Sequence, residues 1–179
     1  KEEGEEGGEN GEEGGENGEE GGENGEKVEN GEKVEKVSKS SKASTAKSQM
    51  AVDTNMRVLI VDDYKTMLRI MRNLLKQLSF ENVEEAIDGT AALEKLREFD
   101  GDFGLVISDW NMEPMTGIQL LREVRGDDGL KQIPFIMVTA ESKSENVIAA
   151  KEAGVSNYIV KPFNAETLKS KMESVLGEF

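Results

Sequence analysis

The stretch Leu105-Val106-Ile107-Ser108-Asp109-Trp110-Asn111-Met112 runs from apolar, β-branched residues straight into an aspartate and then into a short polar loop. A run that short and that apolar reads as a strand buried on both faces, as in a parallel sheet. Ligands of open parallel sheets sit just beyond the carboxyl ends of the strands, and Asp109 falls there. A carboxylate so placed faces a crevice rather than a core, which makes Asp109 the expected chemical centre.

Outward from this strand the same alternation repeats. Arg57 to Val61 reads as a strand ended by Asp62-Asp63, and Lys65 to Leu78 as a helix, with apolar Met67, Leu68, Ile70, Met71, Leu74, Leu75 and Leu78 at helical spacing. Val83 to Ala86 is a short strand, followed after Asp88-Gly89 by a helix carrying Ala92, Leu93 and Leu96. Beyond Asp109, Thr116 is a good N-cap for a helix through Ile118, Leu120, Leu121 and Val124. Pro134 to Val138 is a fourth strand leading into Thr139-Ala140-Glu141-Ser142. Glu145 to Ala153 is helical and stops at Gly154, a natural C-terminal position for glycine. Tyr158 to Val160 is the fifth strand, closed by Lys161-Pro162, and the last helix spans about Ala165 to Leu176 with Asn164 as its cap. Five strands alternating with five helices predict right-handed crossovers and an α/β, doubly wound parallel sheet.

The chain divides by composition. Residues 1–49 carry 7 Lys and 15 Glu, hold 11 of the 19 glycines and contain no aromatic residue; Gly-Glu-Glu-Gly-Gly-Glu-Asn occurs there three times in succession, at 4–10, 11–17 and 18–24. Such units hold almost nothing apolar to stack, so a disordered tail is expected over 1–49, with ends on the order of 40 Å apart as a flexible coil. It reads either as an extension dispensable to the fold or as an acidic tether for a basic partner. Residues 50–179 then form one domain, long enough for one core. The net charge of −15 argues against nucleic acid as a direct ligand. With no cysteine and no histidine in the chain, thiol chemistry, zinc sites of the usual type, Ser-His nucleophiles and a phosphohistidine on this chain are all excluded. No apolar run reaches membrane-spanning length and nothing resembles a signal peptide, so a cytoplasmic protein with no membrane partner is expected.

Four motifs carry a family likeness: Val61-Asp62-Asp63, Ser108-Asp109-Trp110-Asn111-Met112, Met137-Val138-Thr139-Ala140-Glu141 and Tyr158-Ile159-Val160-Lys161-Pro162-Phe163. In this order and at these spacings, residues 57–177 resemble the receiver domain of two-component response regulators, in particular its chemotaxis members. The resemblance implies a flavodoxin-like sheet of strand order 2-1-3-4-5. That order makes strands 1 and 3 neighbours and gathers Asp62, Asp63 and Asp109 at one edge of the crevice. Three carboxylates roughly 5 Å apart repel by about 3 kcal/mol per pair at an effective dielectric near 20. A hard divalent cation relieves this, and all-oxygen ligation suits Mg²⁺. The resemblance implies that Asp63, Asp109 and the backbone carbonyl of Asn111 bind the metal, with Asp62 acting through water. The competing explanation, that strand-end aspartates merely cap the following helices, accounts for Asp62 or Asp63 singly but not for the whole set with Thr139 and Lys161.

By the same resemblance, Asp109 is a nucleophile that accepts a phosphoryl group from a histidine kinase, Lys161 and Thr139 neutralise and hydrogen-bond the phosphoryl oxygens, and Lys161-Pro162 is cis. Asn111 and Glu141 lie where the family tunes hydrolysis. Tyr158 is the switch aromatic, and Val147, Tyr158, Val160 and Lys171 form an output surface. Because the folded part stops at Phe179, output is expected by binding, the implied target being the flagellar motor switch; a phosphatase is a further candidate partner, and a monomer is expected. Trp110 should report metal binding optically. One departure stands out: Met112-Glu113-Pro114-Met115-Thr116-Gly117 replaces the family's usual Met-Pro-x-Met-Asp-Gly, adding negative charge near the site at Glu113. Two other readings remain open. One is a phosphoryl sink or a non-motility regulator with an identical site. The other is an aspartate-nucleophile phosphohydrolase, which usually needs an Asp-x-Asp at strand 1 and a substrate cap, neither of them present.

Overall fold

The computed structural model describes residues 51–140 and 142–179; the expectation of a disordered tail over 1–49 lies outside the described residues. Ten elements alternate: β1 (Val58–Val61), α1 (Lys65–Gln77), β2 (Val83–Ala86), α2 (Gly89–Glu98), β3 (Leu105–Asp109), α3 (Gly117–Gly126), β4 (Phe135–Thr139), α4 (Ser144–Glu152), β5 (Asn157–Val160) and α5 (Ala165–Leu176). The strands form one parallel sheet in the order β2-β1-β3-β4-β5. That is the expected order.

Strand alternation sorts the core into two layers. Val58, Ile60, Leu105, Ile107, Ile136 and Val138 face Leu68, Met71 and Leu75 of α1 and Leu168 and Met172 of α5. Leu59, Val61, Val106, Phe135 and Met137 face Ala92, Leu93 and Leu96 of α2 and Leu120, Leu121 and Val124 of α3. Every residue of β1, β3 and β4 is buried, as near-continuous apolar runs in a parallel sheet should be. Each fully buried Leu, Ile, Val or Phe stabilises the fold by roughly 1.5–3 kcal/mol relative to exposure. Among the described residues, no helix is long and apolar enough to cross a membrane.

The expected caps at Thr116 and Asn164 form, and Asp88 caps a third helix. Asp88 Oδ1 accepts from the Ala91 N–H at 2.8 Å to start α2, and Asn164 Oδ1 accepts from Thr167 N–H at 2.8 Å to start α5. At α3, Thr116 and Gln119 form a reciprocal capping box. Gly154 ends α4 with φ +90°, a conformation glycine adopts without penalty; its carbonyl accepts from Arg125 Nε at 2.9 Å, while Arg125 Nη1 also donates to the carbonyls of Lys131 and Ile133. Several element boundaries shift by one residue from expectation, at β1, α1, α4 and β5 as well as at β4. β4 starts at Phe135 rather than Pro134, because proline has no N–H for the ladder; its carbonyl still accepts from Val106 N–H at 2.9 Å. The strand in turn extends through Thr139.

Gly117 holds the loop after β3 in place. A Cβ there would overlap the Asp109 carbonyl oxygen and lie 2.9 Å from Met137 Sδ, while the Gly117 N–H donates to Trp110 O at 2.9 Å. Gly117→Ala is therefore expected to cost about 3 kcal/mol, since backbone rather than a flexible side chain must move. Thermal denaturation checks this: the melting temperature should drop by about 10 °C, and an unchanged one would show that the loop yields.

Candidate functional site

The carboxyl ends of β1 and β3 are laterally paired, Val61 against Ser108. The residues just past that pair, Asp62 and Asp63 on one strand and Asp109 on the other, are therefore neighbours. One carboxylate oxygen from each lies within 4.8 Å of the others. Asp62 and Asp109 are almost fully buried, whereas Asp63 is exposed. Asp109 is held by its backbone: the Trp110 N–H donates to Val138 O at 2.9 Å, tying the end of β3 to β4.

Lys161 reaches this group from the far side of the sheet. Thr139 pairs with Val160 in the β4–β5 register, and the Lys161 N–H donates to Thr139 O at 2.8 Å, so the lysine leaves the sheet beside β4. Its Nζ lies 2.8 Å from Asp109 Oδ1 and 3.1 Å from Asp62 Oδ2. The Lys161-Pro162 peptide is cis, as the resemblance implied; Glu113-Pro114, for which no isomer was expected, is cis as well.

Asp62 also answers to the capping explanation, since its Oδ1 accepts from Tyr64 N–H at 2.8 Å at the entry to α1, where Tyr64 itself offers no side-chain cap. Both its oxygens are thus engaged, one by backbone and one by Lys161. That leaves Asp63 and Asp109 as the freer oxygen donors.

Burial is the largest influence on Asp109 and lifts its carboxyl above the ordinary value; Lys161 pulls it back down, and the charges of Asp62 and Asp63 push it up again. For Lys161, burial works against the charge, but the hydrogen bonds and attraction of Asp109 and Asp62 outweigh it and raise the ammonium. An ion pair alone would have lowered Asp109. It is raised because it is the more deeply buried partner and has two like charges beside it. A carboxyl raised in the folded state stabilises the fold only in acid, and that contribution is lost as pH rises through its raised value. In metal-free protein, Asp109→Asn should therefore gain melting temperature relative to the parent as pH climbs from the ordinary carboxylate value of 3.8 toward neutrality. A difference independent of pH would contradict this origin of the shift.

Two clefts flank the acidic group. Asp63, Asn111, Met112, Glu113 and Thr116 line an open cleft of about 370 Å³. On the other side Thr139, 5% exposed, shares a small crevice of about 10 Å³ with Trp110, Met137, Asn146, Val147, Ala150 and Tyr158. Lys171 Nζ sits 5.2 Å from the Tyr158 ring centroid and Val160 is 37% exposed. Tyr158 thus has Lys171 beside its ring and Val147 across the crevice, and Val160 follows two residues along β5. Ile148 on α4 is an exposed large apolar residue at 55%, which could not be foreseen because α4 has no marked apolar stripe from which a face could be read. Glu141 lies outside the described residues.

A profile of the response regulator receiver domain matches residues 58–173. The chain belongs to this family. Its receiver domain is 52% identical over 124 residues to chemotaxis protein CheY-3 of Vibrio cholerae, a match that spans 69% of this chain and 94% of that protein. It is 53% identical over 120 residues to chemotaxis protein CheY of Pseudomonas aeruginosa, across 67% and 95%. Among solved structures, Vibrio cholerae CheY4 superposes with a TM-score of 0.63 at 36% identity, covering 68% of this chain and 99% of that one. Receiver domains are signalling domains that bind Mg²⁺ at an acidic pocket, and the three clustered aspartates supply the hard oxygen donors such an ion takes.

Proposed function

We propose that this chain is a single-domain chemotaxis response regulator of the cytoplasm, accepting a phosphoryl group on Asp109 from the phosphohistidine of a CheA-type kinase and signalling by binding the flagellar motor switch. The observation that carries this reading is the convergence of Asp63 and Asp109 from neighbouring strands with Lys161 at 2.8 Å from Asp109. Asp63, Asp109 and the Asn111 carbonyl would hold Mg²⁺, and Asp62 would act through water, in keeping with oxygens already engaged by Tyr64 and Lys161. The ion, when bound, neutralises charge that builds on the transferring group.

The chain's own residues do the rest. Asp109 Oδ attacks phosphorus while the donor's P–N bond breaks, its electron pair passing to the imidazole. Lys161 then exchanges its contact with Asp109 for one with a phosphoryl oxygen, and the Thr139 hydroxyl bonds another. Drawing Thr139 toward the phosphoryl opens space in the crevice it shares with Tyr158, which biases the tyrosine and with it the surface of Val147, Val160 and Lys171. Hydrolysis of the acyl phosphate resets the state, with Asn111 and Glu141 tuning its rate, so the chain is a signalling phosphoacceptor with autophosphatase chemistry rather than an enzyme. Residues 50–179 carry all of this and 1–49 are dispensable to it.

The test is phosphotransfer from a chemotaxis kinase followed by binding to a motor-switch peptide. Phosphorylation-enhanced binding supports the reading. Transfer without enhanced binding would point to a phosphoryl sink or a non-motility regulator, and absence of transfer would overturn the reading.

A further inference from the structure

We infer that Glu113 is a charge filter at the mouth of the phosphoacceptor site, slowing phosphoryl uptake from small, free, doubly charged donors. The inference rests on the reading of Asp109 as acceptor and adds a specificity determinant to it.

The loop that carries Glu113 is fastened along its length. The Trp110 N–H donates to Val138 O, the Trp110 carbonyl accepts from Gly117 N–H, Gly89 N–H reaches Met115 O at 3.3 Å, and Thr116 is locked in its capping box. Met112 is buried in the core at 2% exposure. Between these anchors Glu113 stays at the surface and lines the 370 Å³ cleft together with Asp63 and Asn111. It is not among the carboxylates that converge within 4.8 Å, so it stands on the approach to the site rather than in the ligand set.

Its charge changes the balance that an incoming donor meets. Asp62, Asp63, Asp109 and Glu113 against Lys161 leave three net negative charges, and a bound divalent cation leaves one. Counted over these described residues, the loaded site without Glu113 would be neutral. A small acyl phosphate brings two negative charges and no docking surface to offset repulsion. A donor borne on a protein meets the same carboxylate but adds contacts outside the cleft. Transfer from acetyl phosphate forms the bond from Asp109 Oδ to phosphorus as the phosphorus–oxygen bond to the acetyl group breaks, acetate leaving with the electron pair. Repulsion by Glu113 acts before that step, on entry.

Coulomb energy at about 10 Å in a water-like dielectric gives a dianion about a threefold penalty at low ionic strength, and a monoanion less than twofold. The experiment compares the parent with Glu113→Gln at saturating Mg²⁺, using acetyl phosphate (dianionic) and phosphoramidate (monoanionic at neutral pH). It also measures calorimetric binding of acetonylphosphonate, a dianion that cannot transfer. Expected are an approximately threefold gain in acetyl phosphate reactivity and in phosphonate affinity, a smaller gain with phosphoramidate, and convergence with the parent at high salt. Equal gains with both donors, gains that persist at high salt, or no gain while Asp109 is still labelled would overturn the filter alone. If neither protein is labelled, the reading of Asp109 fails instead.

Discussion

Asp109→Asn should reduce phosphoryl incorporation from the phosphorylated kinase to background while leaving the fold intact. The carboxamide keeps the shape of the side chain but removes the anionic oxygen that attacks phosphorus. The neighbours cannot substitute: Asp62 has one oxygen on Tyr64 N–H and the other on Lys161, and Asp63 is exposed at the rim rather than facing Lys161. The substitution also removes a buried charge that two like charges oppose, so metal-free stability at neutral pH should not fall. Labelling and thermal denaturation on one preparation separate the two effects. Persistent labelling of the folded variant would mean that another residue accepts the group. Loss of labelling with unfolding would leave the acceptor assignment to peptide mapping of the parent.

The second large effect is expected at Lys161. Its ammonium holds Asp109 at 2.8 Å and Asp62 at 3.1 Å, and Lys161→Met would keep the volume while leaving two buried carboxylates without their cation. Breaking a fully buried pair costs several kcal/mol. The lysine side chain is 26% exposed, so solvent screening reduces the expected loss to about 1–2 kcal/mol. A bound divalent cation would supply the missing positive charge, so the melting-temperature deficit should shrink as Mg²⁺ is added. Phosphoryl transfer should still slow by at least about tenfold, because the metal cannot occupy the position of Nζ on the transferring group. A deficit that Mg²⁺ leaves untouched would indicate that Lys161 supports the fold through packing rather than charge.

Much of this was legible in the sequence, for physical reasons that differ by residue. Strands such as Leu105–Asp109 are readable because burial on both faces leaves little but apolar residues. Helix starts at Thr116 and Asn164 are readable because a cap needs a short polar side chain at one position. The strand order and the gathering of Asp62, Asp63, Asp109, Thr139 and Lys161 came from the motif likeness rather than from periodicity, since sequence spacing says nothing about which strands lie side by side.

What stayed hidden was three-dimensional. The double engagement of Asp62, by Tyr64 and Lys161, depends on loop geometry that no pattern encodes. The near-contact between Gly117 and the Asp109 carbonyl is visible only once β3 and α3 are packed. Glu113 was legible as a departure in charge, but its position along the cleft with Asp63 and Asn111 was not.

Cation-dependent modification of the parent protein tests the central claim most directly. The full chain is treated with acetyl phosphate in the presence of Mg²⁺ or of a chelator, its intact mass is read, and the modified residue is located by borohydride trapping of the acyl phosphate. One added phosphoryl group, present with Mg²⁺, absent with chelator and mapped to Asp109, is the expected result. Modification that is indifferent to the cation, or that maps to any other residue, would contradict it.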